Sequence, residues 1–113
     1  TVMAWKLAVE EHRPVALVLS RQNIKTLPAL GTSRREEAAQ VSKGGYVVMD
    51  SAKPEVVMVA TGSEVATLVE GAELLAAEGI SVRVVNVPSE GLFRDQPNPI
   101  RRASCLPASS ATA

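Results

Sequence analysis

The chain has 113 residues with 12 basic and 12 acidic side chains. The balance argues against a nucleic-acid or anionic-membrane binder, since either needs a basic excess. One cysteine, Cys105, cannot close an internal disulfide, no Cys/His cluster has metal-ligand spacing, and no apolar run approaches the ~20 residues of a membrane span. With 46% hydrophobic residues the length suits one ordinary domain or two incomplete ones, and a cytoplasmic setting fits.

Residues 2–11 are rich in helix formers, with Met3, Ala4, Leu7 and Ala8 on one side at helical spacing. No basic start and apolar signal core precede them, so the sequence opens inside a helical pattern. Pro14 suits the stop. Residues 15–19, VALVL, are short, continuous and partly β-branched. They predict a strand covered on both faces, as in a parallel sheet. Ser20-Arg21-Gln22-Asn23 follows it directly. Residues 25–43 show no sustained period and read as a linker with one short helical turn around Arg35 to Gln40.

Gly44-Gly45 then punctuates the chain. Residues 46–49, YVVM, predict a short strand, Asp50 to Pro54 a turn, and residues 55–60, EVVMVA, a second doubly buried strand. Thr61 and Glu64 have the spacing of a capping box. Beyond it Val65, Leu68, Val69, Ala72, Leu75 and Ala76 form one apolar helical stripe, and Gly79 marks a left-handed stop. Residues 80–87, ISVRVVNV, predict a strand that Pro88 ends. Residues 55–88 therefore predict a β-α-β unit with parallel strands and a right-handed crossover. Ser89 opens a further helix that Pro97 and Pro99 interrupt, and the last residues should fray.

Two parallel strands and one helix cannot cover both faces of a sheet. The expected fold class is therefore α/β, with two incomplete three-layer parallel-sheet units joined by an irregular linker, the whole being a piece of something larger. The alternative is one compact α/β domain with all strands in a single sheet.

Arg21 leads the candidates for chemistry. Ligands of open α/β sheets gather beyond the carboxyl ends of the strands, and Arg21 sits two residues after VALVL. A guanidinium there can hold a phosphate or carboxylate through two parallel hydrogen bonds. Ser20, Gln22 and Asn23 can orient it or add donors. From position alone, an arginine that snorkels or meets a surface carboxylate is the plainer reading. The T-G-S-E junction offers free amides at a helix start, but its glycine pattern is thin and Glu64 brings negative charge, so capping is favoured over ligand binding. His12 and Cys105 lack any nucleophile-and-base arrangement and read as structural, as Asp50 and Glu55 read as solvated or capping groups. Arg34-Arg35 and Arg101-Arg102 read as solvated surface.

Taken in order, AWKLAVE, RPVALVLSRQNIKTLP, GGYVV, EVVMVATGSEVATLVEGAELLAAEGISVRVVNVPS and LFRDQ resemble transketolase across roughly residues 4–97. The resemblance implies three regions: residues 1–27 as the end of a pyrimidine-binding domain, 28–53 as linker, and 54–113 as part of the C-terminal domain. It implies an enzyme that moves a two-carbon ketol unit from a ketose phosphate to an aldose phosphate. Thiamine diphosphate, a divalent metal (usually Mg2+) and a homodimer come with it. Arg21 matches the family's substrate-phosphate arginine, with Ser20, Gln22 and Asn23 around it. The stretch that holds the cofactor and metal has no match here, so the chain alone should bind neither and should be inactive alone. The pathway, sugar breakdown or carbon fixation, stays open. The run after Pro88 and the segment Ile100 to Pro107 depart from the family's usual pattern. Other readings are a free-standing interaction or anion-binding module, and a relative such as a phosphoketolase or a ketol synthase acting on formaldehyde.

Overall fold

The computed structural model describes residues 1–31 and 33–98. The predicted first helix forms as α1 (Val2–Glu10). Its half-buried positions are Met3, Ala4, Leu7 and Ala8, the stripe expected from spacing, and it packs against the 3-10 turn Ala39–Lys43.

The predicted strand over residues 15–19 does not form. Residues 14–31 contain no helix or strand, and Val18 is 95% exposed. The apolar run is present, but no neighbouring strand within the described residues offers the ladder that would make it one. The picture of two sheet units gives way to one sheet with an extended N-terminal arm.

The helical turn expected around Arg35 to Gln40 forms as α2 (Arg34–Ala38), continued by a 3-10 turn. Ser33 caps α2 by accepting a hydrogen bond from the Glu36 amide at 3.2 Å. Gly44 ends the 3-10 turn at φ 80°. Arg34, expected in solvent, is sheltered and multiply bonded, because α2 faces the start of the sheet.

The sheet has the order β1-β3-β2, with β1 (Tyr46–Met49), β2 (Val56–Ala60) and β3 (Val82–Asn86). The β-α-β unit is as expected. β2 and β3 are parallel, paired from Val56↔Val82 to Ala60↔Asn86, with α3 (Glu64–Ala77) between them in sequence. β1 adds an antiparallel partner to β3, so the sheet is mixed rather than wholly parallel. The register shifts between Val47 and Met49, beyond which Met49 still pairs with Val84.

Burial falls on different strands than predicted. β2 is an edge strand with Val56 and Val59 exposed, whereas central β3 holds Val84 and Val85 at 0% exposure. Each such valine withdrawn from water contributes about 1.5–3 kcal/mol before entropy is counted. The core joins Tyr46, Val48, Val82 and Val84 of the sheet to Val65, Val69 and Ala72 of α3. Leu68 and Leu75 support it, while Ala76, the last of the predicted stripe, is exposed.

The capping box before α3 is not made: Ser63, not Thr61, is the N-cap, and its side chain accepts no cap hydrogen bond. Gly62, at φ 62°, lies between Thr61 and that N-cap. The helix stop is as predicted, with Gly79 at φ 84°. The Gly79 amide bonds the Ala76 carbonyl and the Ile80 amide the Leu75 carbonyl, each at 3.0 Å, the Schellman pattern. Pro88 follows β3, and Ser89 caps α4 (Glu90–Arg94). Among the described residues no helix is long and apolar enough to cross a membrane.

Candidate functional site

The carboxyl ends of the two parallel strands lie together at Ala60 and Asn86. A cleft opens there between the Thr61–Glu64 turn and the N-terminal arm. One cavity of about 590 Å³ is lined by Leu17, Val18 and Ser20 of the arm and by Thr61, Glu64 and Asn86 of the strand ends. A second, of about 370 Å³, shares Thr1, Gly62 and Asn86 with it and adds Lys25, Arg34 and Tyr46. This is the edge of an open sheet where ligands usually collect.

Asn86 stands at its centre. Its Nδ2 donates to the Tyr46 hydroxyl at 3.2 Å, while its buried Oδ1 has no partner among the described residues. The residue was not singled out by pattern, although a polar side chain closing the apolar run VRVV was the signal available. Glu64 is exposed in the first turn of α3, which disfavours an anion at those amides. The helix start at Thr61–Glu64 suits a neutral polar group better than a phosphate.

Of Ser20, Arg21, Gln22 and Asn23, only Ser20 lines this cleft, together with Thr61 to Glu64 of the T-G-S-E junction and Arg34. Arg21, Gln22 and Asn23 are exposed. Arg21 does not line either cavity of the cleft, and it makes no ion pair or side-chain hydrogen bond among the described residues. With no strand at residues 15–19, Arg21 does not stand at a strand's carboxyl end. His12 is exposed beside Glu10, Glu11 and Arg13 at the end of α1. Cys105 and the Arg101-Arg102 pair lie outside the described residues.

Two charged contacts were missed by pattern. Arg83 of β3 forms a paired contact with Asp50, Nε to Oδ1 at 2.8 Å and Nη2 to Oδ2 at 3.1 Å. Asp50 is thus not simply solvated: it closes the turn after β1 against the central strand. The second contact is Arg34 with Glu37, whose Nη1 and Oε2 are 2.9 Å apart. Their angle falls short of a hydrogen bond, so the contact is an ion pair.

Comparison with known proteins fixes the affiliation. The family described as the transketolase-like C-terminal domain matches residues 44–113, more than half of the chain. The chain belongs to the transketolase family. Transketolase 2 of Vibrio parahaemolyticus is 46% identical over 105 residues, covering 91% of this chain and 15% of that protein. Transketolase 2 of Escherichia coli is 42% identical over 111 residues, covering 96% of this chain and 16% of its own length. The solved transketolase of Leishmania mexicana superposes with a TM-score of 0.77 at 39% identity, over 90% of this chain and 14% of that one. A Pichia stipitis transketolase solved with sedoheptulose 7-phosphate gives 0.76 at 36% identity, with the same coverages of 90% and 14%. The chain thus spans about 15% of the length of the curated transketolases it matches.

Proposed function

We propose that this chain is part of a transketolase that transfers a two-carbon ketol unit from a ketose phosphate to an aldose phosphate, and that Arg21 binds the sugar's phosphate. In this reading residues 1–27 close the pyrimidine-binding domain, 28–53 link, and 54–113 belong to the C-terminal domain. The active enzyme is a cytoplasmic homodimer. One observation carries the role of Arg21. The similarity to transketolases extends over 96% of the chain, which necessarily takes in Ser20-Arg21-Gln22-Asn23, and there Arg21 is an exposed guanidinium with no carboxylate paired to it among the described residues. Such a group is available for a dianion. It forms two parallel charge-assisted hydrogen bonds to phosphate oxygens, and Ser20, Gln22 and Asn23 add neutral donors around it.

The family's cofactor is thiamine diphosphate with a divalent metal. The described residues do not fit it. No group of three His, Cys, Asp or Glu side chains among them is placed to hold a metal ion. The helix start after β2 presents Glu64 where a diphosphate would need positive charge. No step of the reaction is assigned to these residues beyond holding the substrate. Binding and orientation of the cofactor fall to other parts of the enzyme.

The test is Arg21→Ala in the full-length enzyme carrying this sequence. Charge-assisted hydrogen bonds contribute about 1.5–3 kcal/mol. KM for ribose 5-phosphate should rise on the order of 10- to 100-fold with kcat little changed, because the lost contact is made equally in ground and transition states. KM for unphosphorylated ribose should not move. Equal losses for both acceptors would remove the phosphate role.

A further inference from the structure

The arm that carries Ser20–Asn23 has almost nothing to hold it. Residues 14–31 contain no helix or strand, and no backbone group among them bonds another backbone group of the described residues. Their hydrogen bonds to the rest of the described chain all run to two side chains, Arg34 and Glu37. The Arg34 guanidinium donates to the Leu27 carbonyl at 3.3 Å and to the Pro28 carbonyl. It also donates to the carbonyl of Val48, a core residue of β1, at 3.3 Å. Glu37 Oε1 accepts from the Leu30 amide at 2.6 Å and the Gly31 amide at 2.9 Å, while its Oε2 faces Arg34. Both side chains are largely sheltered, at 19% and 12% exposure. Beside them Leu27 packs on the core.

From this arrangement we infer that Arg34, held by Glu37, is a positioning residue for the substrate-phosphate arginine. It fixes the arm to the C-terminal sheet at Leu27, six residues after Arg21. The inference rests on the phosphate role given to Arg21 above. An exposed arginine on an untethered arm samples many positions, and a phosphate that binds it must then bear the cost of ordering. One planar guanidinium with five donors in a fixed fork can span two backbone segments at once, a geometry that the compact ammonium of a lysine, with three donors, matches poorly. Arg34 touches no substrate in this account. It acts through the placement of residues 20–27.

The experiment uses the full-length enzyme carrying this sequence, with Arg34→Met, Arg34→Lys and the double variant Arg34→Met/Arg21→Ala. Arg34→Met should raise KM for ribose 5-phosphate roughly tenfold with kcat within about twofold. KM for unphosphorylated ribose should stay put, and the Leu30 and Gly31 amides should exchange hydrogen faster. Arg34→Lys should restore only part of the loss. The double variant should bind ribose 5-phosphate no worse than Arg21→Ala alone, since the tether has then nothing to position. If Arg34→Met does not fold, Glu37→Gln takes its place. It keeps an acceptor for the two amides and removes the charge opposite Arg34, so the same selective rise in KM is expected. Equal KM changes for both acceptors, or faster exchange at Leu30 and Gly31 with KM unmoved, would overturn the inference. Arg21→Ala with intact phosphate discrimination would instead sink the reading of Arg21. The tether would then be judged by the exchange of those two amides alone, and unchanged exchange in Arg34→Met would remove it too.

Discussion

Gly44 meets two demands at one position. Its φ of 80° lies in the left-handed region, and a Cβ there would come within 2.5 Å of the Ser89 carbonyl oxygen and 2.7 Å of the Leu92 carbonyl carbon. Its own carbonyl accepts from the Ser89 amide at 3.1 Å, so α4 is seated on this residue. Gly44→Ala must therefore bear the left-handed cost of about 1–2 kcal/mol and a backbone displacement of comparable size. We expect local opening at the Ser89 and Phe93 amides to become easier by about 3 kcal/mol, read as an exchange rate faster by two orders of magnitude. Exchange within threefold of wild type would show that α4 is not held there. The Gly44-Gly45 pair is visible in the sequence as punctuation, but its contact with α4 is not, because that contact is made across 45 residues of chain (Gly44 to Ser89). The same limit hid Arg83 with Asp50 and Arg34 with Val48. Arg34 with Glu37 is different: its i, i+3 spacing was readable, and only the assumption that adjacent arginines are surface residues concealed it.

At the scale of elements, legibility followed how local the determining contacts are. α3 was read almost residue by residue, because its stripe and its glycine stop lie within one segment. β1, β3 and α4 were placed for the same reason. Pairing is another matter. A continuous run of valines signals burial but not which strand is central, so the pattern implies a β2 covered on both faces, whereas β2 is an edge strand with Val59 at 53% exposure. The run at residues 15–19 has the composition of a strand and lacks the partner, and a strand without a ladder is only an extended chain. The Schellman stop of α3 gives a test that separates backbone from packing. Gly79 has φ 84°, close to that of Gly44, but a Cβ there would meet nothing within 4 Å. Gly79→Ala should cost only the conformational term, about 1–2 kcal/mol, seen as faster exchange at the Ile80 amide with no change at Ser89. A cost at Gly79 equal to or above that at Gly44 would mean that the crowding around Gly44 has no energetic weight.

For the molecule as a whole, the exposed apolar side chains are concentrated in the N-terminal part. Val18 is 95% exposed, Val9 80%, Val2 69%, and Trp5 and Leu19 57% each. The arm's backbone donors and acceptors are unpaired to the rest of the described chain except near Leu27 to Gly31. The β-α-β unit has the opposite character, with a valine core closed by α3 and no buried charged or polar residue among those described. The 113-residue chain by itself should therefore associate through the exposed apolar side chains of α1 and the extended run at residues 15–19 while its C-terminal unit stays folded, since exposed apolar surface beside an extended segment with free backbone groups pairs readily with another copy. Light scattering after size exclusion should give a mass above the monomer that falls with dilution. Val18→Lys with Leu19→Lys should move it toward the monomer, and hydrogen exchange of the Val84 and Val85 amides should remain slow throughout. A transketolase assay with xylulose 5-phosphate and ribose 5-phosphate should read background for this chain in either state, because the described residues hold neither the metal nor the diphosphate. A monodisperse monomer unaffected by the two lysines would show that the arm folds back onto the sheet in solution, and the cleft between arm and strand ends would then have to be closed rather than open.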